Sequence, residues 1–239
     1  MSNNSNNQQC ESDRLQLWHG KWTNQQIGWH ESDVHGAIRQ YEETLLFPDI
    51  TTTPKRILFP LCGKTVDMAY LATKYSEQLQ IVGVDGVAQA LETFVKEQEH
   101  LKLEKQVDSN RWMNSNLELL QSDFFQMTQD NYQSYHHTFD VIFDRASLVA
   151  ISPSLREDYV QVCRKLLKPN GKILLIVIER IAGDITAGPP FSVTHEDVMR
   201  LYSHQEWVES VKLLEDQGEA QRNQVSADMV SRYYWIQCK

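Results

Sequence analysis

Apolar residues along this 239-residue chain follow two patterns. Short apolar-rich runs at Ile57–Phe59, Leu79–Val84, Asn116–Leu120, Phe139–Phe143 and Lys172–Ile178 have the length of strands covered on both faces. Between several of them, apolar residues recur at three- and four-residue intervals, the spacing of one helix face. Lys64–Tyr75 shows it at Val66, Ala69, Tyr70 and Thr73, and Val87–Gln98 and Pro153–Leu167 read the same way. Gly36–Phe47 is an amphipathic helix ahead of the first strand, ended by Pro48, and His195–Tyr202 is a short late helix. Trp207–Leu214 and Val230–Gln237 are two closing strands, and Pro169-Asn170-Gly171 is a turn. This alternation predicts an α/β protein: a mostly parallel sheet of seven or more strands with helices on both faces.

The first strand, loop and helix organise the rest. Pro60 cannot donate to a ladder, so the run Ile57–Phe59 stops there, and Gly63 marks the turn into the helix. In a parallel sheet that unit brings a helix N-terminus to the carboxyl edge, where ligands settle. The second strand ends in Asp85, 22 positions after Gly63, near the interval at which nucleotide folds place an acid on ribose hydroxyls. The loop lacks the glycine-rich fingerprint that a pyrophosphate demands, which points to a nucleoside cofactor without one, S-adenosylmethionine foremost. An ordinary βαβ unit with a surface acid at a strand end is the plainer alternative.

Other polar residues stand at predicted strand ends. Ser122 and Asp123, just past Asn116–Leu120 and beside Phe124, suit the edge of a purine, or form only a turn. Arg145 follows Phe139–Phe143 and meets a cofactor carboxylate, a substrate anion, or merely Asp144. The polar stretch Glu99–Ser115 reads as a loop or small hairpin, an insertion at the ligand edge. Near the N-terminus Trp18 and Trp22 share a helix face, and the loop Asn24–Gln26 delivers Trp29. These tryptophans either staple a helix to the core or form an aromatic lid over a planar heterocycle.

Composition narrows the class. The net charge of −9 and the scattered basic residues argue against nucleic acid or an anionic membrane as partner and for a small molecule. Cys10, Cys62, Cys163 and Cys238 contain no C-x-x-C pair, so neither a metal site nor a disulfide framework is expected, and a reducing cytosol suits them. Met1–Asp13 is rich in Asn, Gln and Ser without a targeting pattern and is expected to be a disordered tail, with residues 14–239 forming one domain.

The ordered motifs W-x-x-K-W (Trp18–Trp22), PLCGK (Pro60–Lys64), GVD (Gly83–Asp85), DRASLVAI (Asp144–Ile151) and GPPF (Gly188–Phe191) resemble those of the thiopurine S-methyltransferase family. The resemblance spans Leu15–Lys239 and implies a Rossmann-like class I methyltransferase fold and a monomer acting in xenobiotic detoxification. It implies cofactor contacts at Trp18, Trp22, Leu61, Gly63, Asp85, Ser122 and Arg145, with Asp123 beside the adenine. Trp29, Arg145 and, more loosely aligned, Arg222 fall on the substrate side, with Arg145 the catalytic residue. Position 85 is often Glu in the animal enzymes, and Asp123 stands where an apolar residue is common.

The implied reaction is methylation of an aromatic or heterocyclic thiol, giving a thioether and S-adenosylhomocysteine. Hydrosulfide, halide, selenium or tellurium species are rival acceptors. A catalytically silent cofactor-binding protein and a nicotinamide oxidoreductase are the readings from other classes. A loop without the dinucleotide fingerprint predicts that S-adenosylhomocysteine raises the thermal midpoint while NAD does not, because only a ligand of the native state adds stability by mass action. Differential scanning fluorimetry with each ligand checks this; equal shifts, or none, contradict it.

Overall fold

A computed structural model of the chain describes residues 14–50, 54–107, 109–216 and 228–239. Helix α1 (residues 14–23) and helix α2 (Gly36–Tyr41), which continues as a π turn over Glu42–Leu46, precede strand β1 (Lys55–Pro60). Then come α3 (Val66–Lys74), β2 (Leu79–Asp85), α4 (Ala88–Glu97), the short β3 (Glu104–Lys105) and β4 (Arg111–Met113), and β5 (Leu117–Gln121). After two 3-10 segments follow β6 (Phe139–Arg145), α5 (Arg156–Leu166), β7 (Leu167–Arg180), α6 (His195–Val198), β8 (Val208–Asp216) and β9 (Met229–Cys238).

The nine strands form one sheet in the order β3-β4-β5-β2-β1-β6-β7-β9-β8. The central five, from β5 to β7, run parallel, while β9, β8 and the β3–β4 hairpin are antiparallel additions. From β1 the chain first builds outward through β2 and β5, then returns to lay β6 and β7 on the other side. The carboxyl ends of β1 and β6 are therefore the switch point of the topology, where an open α/β sheet leaves a crevice.

Both faces of the strands are buried, which is why they read as continuous apolar runs. Ile57, Phe59, Ile81, Val141, Phe143, Leu174 and Ile176 face one core with Met68 and Leu71 of α3 and Leu91 and Phe94 of α4. Leu58, Val82, Val84, Ile142, Ile173, Leu175 and Val177 face the other with Tyr159, Val160, Cys163 and Leu166 of α5. Asn116 Nδ2 donates to Ala72 O at 2.9 Å, pinning the end of α3 beside the start of β5.

Several boundaries differ from the sequence expectation. β1 extends through Pro60, which is its last residue. α3 begins at Val66 instead of Lys64, because Thr65 caps it by accepting from the Asp67 N–H. The first turn of the expected helix from Pro153 is 3-10, and the turn at Pro169-Asn170-Gly171 is absorbed into β7 as an irregularity, with Asn170 at φ +61°. The late helix is α only over α6 and continues as a π turn, Met199–Ser203. Within the expected stretch Glu99–Ser115, β3 and β4 pair as a hairpin, but it extends the lateral edge of the sheet, and none of the described residues there borders the cavity described below.

Gly83 in β2 is needed for close packing. A Cβ there would sit 2.6 Å from Met68 Sδ and 2.9 Å from Cys62 Sγ, both in the core. Gly83→Ala is expected to destabilise the fold by about 1–3 kcal/mol through overpacking, measured by urea unfolding at unchanged m-value.

Candidate cofactor and acceptor site

Three strand ends build the site. Beyond β1, Leu61 (φ +45°) and Gly63 (φ +55°) turn the chain in left-handed conformations, and beyond β6 Ala146 does the same at φ +64°. For residues with a Cβ this costs about 1 kcal/mol or more each, so the surroundings must hold them. Ser147 Oγ supplies part of that hold by donating to Pro60 O at 2.6 Å, a buried bond that joins the two strand ends at the switch point.

Asp85 ends β2 between these turns. Its carboxylate accepts from Gly63 N and from Val87 N, each at 2.8 Å, so one side chain ties the loop after β1 to the start of α4. Burial pushes its pKa up to about 6, against the pull of these two amides toward the charged form.

The N-terminal segment covers this edge. Leu15 packs onto Gly86, where a Cβ would lie 2.4 Å from Leu15 Cδ2. Trp22 is buried with Val87 and Ala90, its ring over Gly63. Trp29 meets Trp18 edge-on at 5.2 Å between ring centroids and Trp22 at 6.2 Å. The two sequence readings of these tryptophans are therefore compatible: Trp22 staples α1 to the core while Trp18 and Trp29 present a half-buried aromatic wall.

Together these elements enclose a cavity of about 720 Å³, bordered by Trp18, Trp22, Leu61, Gly63, Asp85 and Arg145 and by Trp29 and Asp123. Ser122 does not border it. Its hydroxyl turns to Tyr132 OH at 2.8 Å, and only its backbone N–H joins the Asp85 strand end, donating to Asp85 O at 3.0 Å. Asp123 is paired with Arg14 Nη2 at 2.5 Å, and that guanidinium lies 4.5 Å from the centre of the Phe125 ring. Arg222 lies outside the described residues.

Arg145 does not pair with Asp144, its neighbour on alternate faces of β6. Asp144 is wholly buried and accepts from Tyr159 OH at 2.8 Å and Leu148 N at 3.2 Å. Arg145 instead donates from Nη1 to Trp29 O at 2.8 Å and forms an ion pair through Nη2 with Glu31.

Glu31, Arg14, His35 and Asp67 also border the cavity, and sequence reasoning passed over them because their roles depend on contacts 32 or more positions away. His35 caps α2, Nδ1 accepting from Ala37 N at 3.1 Å, and its own N–H donates to Asp67 Oδ1 at 2.8 Å. Burial lowers the His35 pKa and raises that of Asp67. Among the described residues no helix is long and apolar enough to cross a membrane, and no group of His, Cys, Asp or Glu side chains is placed to hold a metal ion.

Known proteins of this fold include a 1,6-didemethyltoxoflavin-N1-methyltransferase from Burkholderia thailandensis, matched at TM-score 0.62 and 13% identity over 97% of this chain and 90% of that one. A SAM-dependent methyltransferase from Aquifex aeolicus matches at TM-score 0.52 and 13% identity over 91% and 97%. The fold is thus that of the class I S-adenosylmethionine-dependent methyltransferases.

The sequence model of the thiopurine S-methyltransferase family matches residues 13–237, and the chain belongs to that family. Relatives named thiopurine S-methyltransferase include one from Vibrio vulnificus, 30% identical over 91% of this chain and 93% of its own length. Another from Vibrio atlanticus is 34% identical over 79% and 81%. The protein is an S-adenosylmethionine-dependent S-methyltransferase.

The buried carboxylate behind the site sets a pH dependence. Asp144, like Asp85, is raised by burial to a pKa of about 6 from 3.8. The native state therefore holds protons that the unfolded chain releases, so these groups favour folding below pH 4 and lose that contribution as pH rises to about 6. Asp144→Asn is expected to flatten the fall in unfolding free energy between pH 4 and 6.5 by on the order of 2 kcal/mol. Urea melts across that range, compared with wild type, measure the difference.

Proposed function

We propose that the acceptor is an aromatic or heterocyclic thiol of the thiopurine type, and that the cavity holds the cofactor at its Asp85 end and the acceptor ring at its Trp29 end. The observation that carries this reading is one continuous cavity with two chemistries. It is lined by a buried carboxylate and tight backbone turns at Asp85 and Leu61–Gly63, and also by the Trp29 ring and the apolar Ile176, Ile178, Pro189 and Pro190. A volume of about 720 Å³ lies within the range of small-molecule sites and leaves room for a ring beside a nucleoside.

The residues fit S-adenosylmethionine. Asp85 is an ionisable acceptor at the strand edge where ribose hydroxyls are held in nucleotide folds, and the loop Leu61–Gly63 has the tight backbone that lets a ligand approach. When bound, the cofactor supplies an electrophilic methyl group to an acceptor sulfur. In this reading Asp85 fixes the ribose, Asp123 and Phe124 border the adenine, and Trp18 and Trp22 close that end against water. Trp29 stacks on the acceptor ring, and Arg145, bonded to Trp29 O, is the catalytic cation. Heteroaromatic thiols ionise readily near neutral pH, so positioning of the sulfur, worth several kcal/mol, suffices without a strong base.

The loop Gly188–Phe191 is anchored for this task. Phe191 N donates to Val149 O at 2.7 Å and Arg180 Nε to Pro190 O at 3.2 Å, which hold the two prolines against the turn that follows Arg145.

Trp29→Ala is expected to raise KM for thiophenol or mercaptopurine by about 2- to 13-fold, the equivalent of 0.5–1.5 kcal/mol of stacking, and to leave iodide and hydrosulfide methylation unchanged. Release of S-adenosylhomocysteine across this panel is the measurement. Turnover of inorganic acceptors without any aromatic thiol overturns the acceptor class, and an unchanged KM for every acceptor removes Trp29 from the site.

A further inference from the structure

Three of the cations around the cavity come with carboxylates. Arg14 is paired with Asp123, Lys64 with Glu97 at 2.5 Å, and Arg145 with Glu31. Arg145 is largely buried, with 17% of its side chain exposed, whereas Glu31 is 49% exposed, at the mouth of the same cavity. Trp29 O receives the other terminal nitrogen of the guanidinium at 2.8 Å. Residues 29 and 31 thus orient the cation together, and both border the cavity.

Consider what an acceptor meets there. On β7 Ile176 is in register with Arg145, and Ile178 follows two positions on, so the β7 side of the cation is apolar, while His30, His35 and Asp67 also border the cavity. In such surroundings a guanidinium without a partner attracts any anionic group on a ligand. The Glu31 carboxylate already occupies that position, and a second carboxylate brought in by a ligand has to displace it or lie beside it.

We infer that Glu31 is a specificity-determining residue: by holding Arg145 it biases the acceptor site toward thiols without a carboxylate and against thiols that carry one. The inference rests on the acceptor reading above. Glu31 is half exposed, so water screens its hold on Arg145 and a ligand anion can compete with it. Replacing Glu31 by Gln keeps the shape and a hydrogen-bond acceptor on Arg145 but removes the negative charge.

The test compares full-length wild type and Glu31→Gln on thiophenol and on 2-mercaptobenzoate, the same ring and sulfur with one carboxylate added. The ratio of kcat/KM for the carboxylated over the neutral thiol is expected to rise about tenfold in the variant, through KM, the lower end of what a hydrogen bond to a charged group contributes. A rise below threefold overturns the inference. So does a gain in S-adenosylhomocysteine affinity equal to the rise, since Arg145 then serves the cofactor.

A binding measurement separates this from failure of the acceptor reading. Benzoate is titrated into S-adenosylhomocysteine-saturated protein and followed by tryptophan fluorescence. If wild type methylates neither thiol, the acceptor reading fails, while tighter benzoate binding to Glu31→Gln than to wild type still supports the role of Glu31, and equal binding overturns it.

Discussion

The Asp85 carboxylate is the interaction on which the site depends. It reaches Gly63 in the loop after β1 and Val87 at the start of α4, so a single residue at a strand end sets the spacing of two neighbouring βα connections. Holding a carboxylate in a buried position costs desolvation energy, which its raised pKa reports, and two amide donors offset part of it. In the function we propose, hydroxyl donors of the cofactor add to this network, which is already oriented.

The switch point supplies the second constraint. The chain has to turn sharply where β1 and β6 end side by side, and Leu61 and Ala146 adopt left-handed conformations to do so. The Ser147 bond to Pro60 O spans the two ends, and the buried Asp144, bonded to Tyr159 and Leu148, anchors the turn from below. Arg145, one residue from that anchor, is thereby aimed into the cavity while its neighbour is aimed into the core. The N-terminal helix then closes the edge, with Leu15 against Gly86 and Trp22 against Gly63, so that the aromatic wall stands on glycines that leave room for it.

Membership of the thiopurine S-methyltransferase family and the parallel-sheet fold agree with this geometry at different levels. Likeness of fold at 13% identity speaks only to the scaffold, since one scaffold carries many reactions. On that scaffold Trp18, Trp29, Glu31 and Arg145 border the cavity together, joined by an edge-on ring contact and one shared guanidinium.

Much of the scaffold was determined by the sequence alone. Strands buried on both faces must be apolar throughout and helices must carry an apolar stripe, so the order of elements and the loop between β1 and α3 were readable from periodicity, proline and glycine. Asp85 was readable too, since a strand end and a spacing locate it, and the family motifs brought out Trp18, Trp22 and Arg145. The tertiary structure alone decided which side chains meet. Ser122 turned to Tyr132 because the second 3-10 segment between β5 and β6 places a phenol within reach, and Arg145 found Glu31, 114 positions away, because folding of the N-terminal segment over the switch point brings them together. Such pairings follow from the path of the backbone in space, and no local pattern of residues encodes them.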